Sequence, residues 1–328
     1  MPDVLRRNRA PALRVLVSAL LLGVVLAYAD VDAVAGALRD ANWSWFAAAL
    51  GLMAVAAVVG ALRWRLLLQE AQIEVSALRA VRTFSGALVL NNVLPTSIGG
   101  DAVRAWLVGR ESGRLLRAAT ATVVDKLTAL ACLYVVAWAA VAVDRESVPS
   151  TVVGVFAWVT AGLAAACVVA ALAAAGVRPI LRRFPERLAA MIRETWATLR
   201  TWARSTRTVT FVLALGFAYQ VLAVFVLVLV GKTVGVELSF ALAAVSSAIV
   251  LVAMLIPISI GGLGVREGGF VLLLGEAGIN GADATSVSLL SAAVVVLAGA
   301  AVVAVSAAWH TSRLDERRAR ALPRQPPA

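Results

Sequence analysis

Long apolar runs recur along this chain, at about 13–29, 44–67, 118–143, 151–175, 209–231 and 285–309. A hydrocarbon core about 30 Å thick takes roughly 20 apolar residues per helix. A soluble domain of this size has no use for six such runs. The expected class is therefore an all-α polytopic membrane protein with about six full transmembrane helices. Composition agrees, with 61% of residues hydrophobic and 15% charged.

A net charge of +11 invites a nucleic-acid reading, but no reader module accompanies it, and no nucleic-acid partner is expected. The arginines gather instead in connecting segments, as they do where cytoplasmic loops set orientation and face an anionic inner leaflet. Arg63 and Arg65 close the second run, and residues 76–117 hold six arginines against Asp101 and Glu111. Eight more arginines lie in 178–208, and the tail from Arg313 onward is again basic. These segments are assigned to the cytoplasm, together with both termini. Residues 232–284 carry only Lys232 and Arg266 against Glu237, Glu267, Glu276 and Asp283, which suits the outer face. The Asp144-Arg145-Glu146 turn is placed on that face as well.

The N-terminal run follows Arg6, Arg7, Arg9 and Arg14 and ends Ala27-Tyr28-Ala29, a signal-peptide-like pattern. It is long for a signal core and many spans follow, so it reads as an uncleaved first helix. Cys132 and Cys167 fall within apolar runs, where a thiol behaves as a small hydrophobe, and no disulfide is expected. The lone His310 has no cluster of metal ligands around it, so neither a metal nor a cofactor is anticipated.

Between the two halves, Ile180, Phe184, Leu188, Met191, Ile192, Trp196, Leu199 and Trp202 recur at three- and four-residue steps. With arginines over much of the remaining surface, residues 180–204 read as an amphipathic helix in the inner-leaflet interface. The domain plan is one integral-membrane domain over 1–312 and a short disordered basic tail over 313–328, whose proline-rich composition disfavours packing.

One passage repeats. "LPTSIGGDAVR" at 94–104 aligns with "IPISIGGLGVR" at 256–266, a shift of 162 residues that preserves P-x-S-I-G-G-x-x-V-R. The same shift carries 44–67 onto 206–229 and 118–143 onto 280–305, close to predicted spans. The unit of span, broken hairpin and span therefore occurs twice, over about 44–143 and 209–309. By charge the units enter from opposite faces. Inverted repeats of this kind are a recurring plan of secondary transporters.

The segments flanking each motif are short for spans, so each motif reads as the tip of a re-entrant helical hairpin, the two oppositely oriented. Residues 240–260 are the exception in length, which leaves two full crossings as the alternative for the second hairpin. Irregular backbone at membrane depth is tolerated only when buried in protein or lining a wet cavity. A helix starting after each Gly-Gly would present free N–H groups and positive partial charge to an anion. Arg104 and Arg266 follow about one turn later. An arginine near mid-membrane costs about 2.5–3.5 kcal/mol on insertion scales, so a partner is expected, and its planar fork suits phosphate.

The candidate substrate-binding residues are Asn91, Asn92, Pro95, Ser97, Gly99, Gly100, Asp101 and Arg104 in the first hairpin. Their counterparts are Pro257, Ser259, Gly261, Gly262, Arg266 and Glu267 in the second, with Asp125 and Lys126 as a polar wall. Each also has a structural reading. The glycines allow close packing, Arg104 pairs with Asp101, and Arg266-Glu267 marks a membrane boundary. The asparagines and serines satisfy exposed backbone, and Asp125-Lys126 pair locally or snorkel toward the cytoplasm.

At these residues the sequence resembles the lysylphosphatidylglycerol synthase transmembrane-region family, the flippase part of the multiple peptide resistance factor. The likeness rests on "NNVLPTSIGGDAVRAWLVGR", Asp125-Lys126, "LIPISIGGLGVREGGFVLLLGEAG" and Arg63-Trp64, and covers nearly the whole chain. Lys126 is a departure, since that position more often reads arginine in the family. The resemblance implies a bacterial inner-membrane protein handling lipids with polar headgroups. No segment of the sequence reads as the separate synthase domain, so aminoacyl transfer is not carried over.

The preferred functional expectation is a lipid translocase, not an enzyme, that moves a lipid with a phosphate-containing headgroup between leaflets. Its partners would be anionic or headgroup-modified phospholipids, or a polyprenyl-linked lipid. Two other readings fit the same residues. One is an integral-membrane transferase on a polyprenyl- or dolichyl-linked donor, with Asp101, Asp125 and Glu267 as candidate acids or bases. The other is a non-catalytic partner of a separately encoded synthase.

Overall fold

The computed structural model describes residues 31–94, 98–180, 205–256 and 262–321. The run at 13–29, the amphipathic segment beyond Ile180, and Pro95, Ser97, Pro257, Ser259 and Gly261 lie outside the described residues. Every regular element among those described is a helix: α1 Val31–Arg39, α2 Trp43–Glu70, α3 Ala77–Val93, α4 Gly99–Ser112, α5 Leu115–Val143, α6 Ser150–Ile180, α7 Thr206–Thr233, α8 Phe240–Leu255, α9 Val265–Gly275 and α10 Gly281–Ala321.

Among the described residues, five helices are long and apolar enough to cross a membrane: α2, α5, α7, α6 over Ser150–Val169 and α10 over Gly281–Ala308. They coincide with the five apolar runs after the first. Side-chain caps begin several helices. Asn42 accepts from the Ser44 N–H ahead of α2, Ser76 from Arg79 ahead of α3 and Ser239 from Leu242 ahead of α8. The last helix, α10, continues to Ala321.

The two spans that open the repeats, α2 and α7, pack along their whole length and run antiparallel. The Asn42 N–H donates to the Thr233 carbonyl at 2.8 Å at one end. The Thr208 hydroxyl donates to the Glu70 carboxylate at the other. Between these ends Tyr219 lies against Gly60, and Gly216 against Cys132 and Arg63. Ala49, Ala56, Ala57 and Ala61 are also fully buried on α2. Small residues let helix backbones approach closely where lipid supplies no hydrophobic drive for association.

Each hairpin begins and ends at one end of this bundle, and the ends differ. The α3–α4 hairpin leaves α2 at the Glu70 end and returns there, where Arg79 pairs with Glu111 and Arg114 donates to the Gln72 carbonyl. From that end α5 runs about 43 Å at 1.5 Å per residue, and α6 starts where it stops. The α8–α9 hairpin leaves α7 at the opposite, Asn42 end, with Leu238 against Gly231. It returns there, since Glu276 accepts from Thr151 at the start of α6. Helix α8 has 16 residues and stops at Leu255.

The packing is reciprocal. Helix α3 of the first hairpin packs on α10 of the second repeat, and α8 of the second packs on α5 of the first. Likewise α2 contacts α10 while α7 contacts α5. The two hairpins are joined by a hydrogen bond, with Arg266 Nη1 on α9 donating to Asn92 Oδ1 on α3 at 3.1 Å. Two apolar clusters flank this region. One includes Met53, Tyr134, Val224, Leu227 and Ala248 toward the Asn42 end, and the other Trp64, Leu68, Ile73, Phe84 and Ala118 toward the Glu70 end.

Candidate functional site

Between those clusters lies a knot of charge. Asp125 on α5 is 1% exposed and binds two arginines at once. Arg63 Nε donates to its Oδ1 at 2.7 Å, and Arg104 Nη2 to its Oδ2 at 2.8 Å. Arg104 also pairs with Asp101 at 3.0 Å, one helical turn earlier on α4, and Lys126 reaches the other oxygen of Asp101 at 3.2 Å. Both arginines are only 2% exposed. Burial of unpaired charge is prohibitive, so the carboxylates are what allow the arginines to stay inside.

Aromatic faces hold the arginines in place. Arg104 lies between the rings of Trp64 and Phe84, 4.8 Å from each centroid, and Arg63 is 5.4 Å from the ring of Tyr219. A guanidinium over a ring face is attracted by the ring quadrupole. Trp64 is fixed in turn by a 3.1 Å hydrogen bond from its Nε1 to Thr122. Even so, the donors are not exhausted: Arg63 Nη1 and Arg104 Nε and Nη1 are buried without a hydrogen-bond partner. Buried polar groups are normally satisfied, and this knot borders a cavity.

The cavity is there. It measures about 590 Å³ and its lining includes Arg63, Arg104, Asp101, Asp125, Lys126 and Asn91, with Tyr219, Gln220 and Ser247 across from them. Val123 and Leu127 line it too while being 57% and 59% exposed, so the cavity opens through an apolar flank of α5.

Asn91 organises the start of α4. Its Oδ1 accepts from the Gly100 N–H at 2.8 Å and the Asp101 N–H at 3.3 Å, and its Nδ2 donates to the Asp101 carboxylate at 3.4 Å. Gly100 permits this, because a Cβ there would fall 2.1 Å from the Ala87 carbonyl oxygen. In the second hairpin Gly262 and Gly264 take φ of +80° and +81°, which glycine adopts without strain. Glu267 then folds back to accept from the Gly264 N–H at 2.6 Å. The expectation of free helix starts is therefore corrected in both hairpins. Side chains already accept from the Gly100, Asp101 and Gly264 N–H groups.

The structure gathers Asn91, Asp101, Arg104, Asp125 and Lys126 around one cavity, with Gly99 and Gly100 opening the helix that carries two of them. It does not bring Arg266 and Glu267 there. Arg266 spends its Nε and Nη2 on Glu267, at 3.0 and 2.6 Å, and its Nη1 on Asn92, so each of its three nitrogens has a partner. Both are buried, and the Asn92 bond ties the two hairpins together. Asn92 serves that tie and also donates to the Leu88 carbonyl. Gly262 sits beside Met254, away from the charged knot.

Sequence reasoning missed Arg63 as a site residue, along with Trp64, Thr122, Phe84, Tyr219 and Gln220. Arg63 was assigned to the cytoplasmic rim, yet it lies seven residues inside α2 and faces the bundle. The available signal was Arg63-Trp64-Arg65 within a span, where an interior charge calls for a counter-ion.

Groups of three or more metal-ligating side chains are absent among the described residues. A family model described as "Lysylphosphatidylglycerol synthase TM region" matches residues 12–322. No curated protein and no solved structure matches the chain.

Proposed function

The chain belongs to the lysylphosphatidylglycerol synthase transmembrane-region family, and from that premise we propose that it is a lipid translocase whose cavity receives a phosphate-bearing headgroup. The observation that carries this reading is a side-open cavity lined by three cations, Arg63, Arg104 and Lys126, which calls for acceptor oxygens. Phosphate oxygens match that need in charge and in planar donor geometry. The exposed apolar residues at the opening, Val123 and Leu127, give acyl chains a way to remain in lipid while the headgroup enters.

In this reading the two hairpins are re-entrant in a bacterial inner membrane, with the Glu70 end cytoplasmic. Rocking of one repeat against the other alternates the cavity between leaflets, and the Arg266–Asn92 bond is where the repeats grip each other. Single cysteines at Glu111 and Glu276, in a chain with Cys132 and Cys167 replaced by alanine, are expected to react with impermeant reagents from opposite sides of sealed vesicles. Labelling of both from one side would remove the mirrored arrangement.

Function itself is tested by reconstitution. Leaflet exchange of fluorescent phospholipid in proteoliposomes is expected to fall at least about tenfold, about 1.4 kcal/mol, in Arg104→Gln. Asp125 keeps Arg63 and Asp101 keeps Lys126 in that variant, so the fold should survive. Wild-type rates equal to protein-free vesicles across anionic, zwitterionic and aminoacylated lipids would sink the translocase reading. The transferase alternative has less support. Asp125 is clasped by two arginines, Asp101 by Arg104, Lys126 and Asn91, and Glu267 by Arg266 and a backbone N–H, which leaves none placed as a free acid or base.

A further inference from the structure

Outside the cavity, the outer face of the first hairpin carries a pattern of its own. On α4 the residues at four-residue steps, Ile98, Ala102, Trp106 and Arg110, are all exposed, while Asp101, Arg104 and Val108 turn inward. On α5 Leu115, Val123 and Leu127 are exposed in the same register, with half-buried Ala119 between them. The two helices pack against each other about the turn at Gly113, whose φ is +67°. Both stripes end at the cavity mouth, which Ile98, Ala102, Val123 and Leu127 line.

At its other end the α4 stripe closes on charge. The Arg110 guanidinium lies 5.2 Å from the Trp106 ring centroid, and the adjacent Glu111 is engaged by Arg79. Tryptophan and arginine settle at a membrane–water boundary, ring toward hydrocarbon and cation toward phosphate. From Ile98 to Arg110 the chain rises about 18 Å at 1.5 Å per residue, against about 15 Å for half a hydrocarbon core. With Arg110 at the phosphate layer, the cavity mouth falls near the bilayer midplane.

Resting on the reading that the cavity takes a lipid headgroup, we propose that this outer face of α4 and α5 is a docking site for a phospholipid of the Glu70-end leaflet, occupied before the headgroup moves inside. Its phosphate sits on Arg110 beside the Trp106 ring, and a chain lies along the two stripes to the mouth. The site reads the phosphate and not what is attached beyond it, so phospholipids with and without an aminoacyl group share it. The next cation on the way in is Lys126, which lines the cavity with its side chain 32% exposed. Helix α6 supplies the contrast. It exposes Val155, Trp158, Val168 and Val169 but borders no part of this cavity. Arg110 also stands in the last turn of α4, where a cation complements the helix dipole, so its variants are judged by lipid contact and not by melting alone.

The test uses the full chain in phosphatidylcholine vesicles that contain phosphatidylglycerol with a photoreactive group on one chain. Adducts are mapped by peptide mass spectrometry, with the exposed face of α6 as the reference for ordinary lipid contact. Adducts within 98–127 are expected to exceed those within 155–169. Arg110→Gln should lower them about fivefold, the worth of one basic side chain at an anionic surface, and Arg110→Lys should keep most of them. Phosphatidylglycerol retention in detergent, counted by native mass spectrometry, should follow the same order. Both Trp106 and Arg110 are exposed, so the fold survives their replacement. Equal labelling of the two faces overturns the proposal, and so does labelling of α4 and α5 that is unchanged in Arg110→Gln and Trp106→Ala alike. A loss in Arg110→Lys as deep as in Arg110→Gln overturns it as well, because charge at the phosphate layer would not be the cause. Enriched, Arg110-dependent adducts without leaflet exchange support the docking site and remove the translocase reading. Exchange without enrichment removes the docking site alone, so the two fail separately.

Discussion

Asp125→Ala is expected to lower the stability of the folded protein by about 3–5 kcal/mol, the usual result of removing one partner from a buried ion pair. The carboxylate is the shared counter-ion of Arg63 and Arg104, at 2.7 and 2.8 Å, and all three residues are at least 98% buried. Without it, Arg63 loses the one ion pair the structure gives it, and Arg104 keeps only Asp101. Two guanidiniums would then remain beside an apolar wall with one carboxylate between them and Lys126 competing for it. Thermal unfolding in detergent, followed by tryptophan fluorescence and by monodispersity on size exclusion, reads the effect. Trp64, one of nine tryptophans in the chain, lies against Arg104. Lys126→Ala is the contrast: its partly exposed pair should be worth about 1 kcal/mol or less. Comparable midpoints for the two variants would show that the knot is not what holds α2, α4 and α5 together.

The same knot explains how much of this molecule could be read in advance. The long spans follow from apolar runs of bilayer length, and five of them are helices where the runs lie. The repeat was legible because proline, paired glycines and arginine rarely align by chance in a chain rich in alanine and valine. Its geometric consequence is visible in the antiparallel α2 and α7 and in the exchanged packing of α3 and α8. The charged site is another matter. Repeat symmetry suggests a balanced site with one arginine from each half, yet the knot belongs to the first repeat alone. A shift of 162 residues carries Arg63, Asp101 and Asp125 onto Phe225, Leu263 and Val287. Only Arg104 has a charged counterpart, and Arg266 found a private partner in the adjacent Glu267. The two halves share a motif and an order of helices without sharing their charged side chains, so a motif marks the first without fixing the second. Arg63 was hidden for a related reason. Position along a span does not tell which face of the helix carries a residue, and only the meeting of α2 with α5 does.

Gly100→Ala should be the most damaging single-methyl change in the first hairpin. The added Cβ would fall 2.1 Å from the Ala87 carbonyl oxygen and 2.9 Å from Asn91 Oδ1. The first obstacle is backbone within α3, so no side-chain rotation relieves it, and α4 has to move away from α3. Overpacking of this kind typically costs about 1–3 kcal/mol, and here a functional cost is added. The displacement breaks the 2.8 Å bond from Gly100 to Asn91 and shifts the helix that carries Asp101 and Arg104 to the cavity. Gly51→Ala supplies the comparison, because no atom lies within 4 Å of its added Cβ inside α2. Alanine there should be neutral or stabilise by about 0.5–1 kcal/mol, as expected for glycine replaced in a helix interior. Melting midpoints of the two variants, read beside their phosphatidylglycerol retention, separate a packing defect from a general sensitivity to added bulk. If Gly100→Ala melts with the wild type and still retains lipid, α4 does not take its position from contact with α3, and the placement of Arg104 needs another cause.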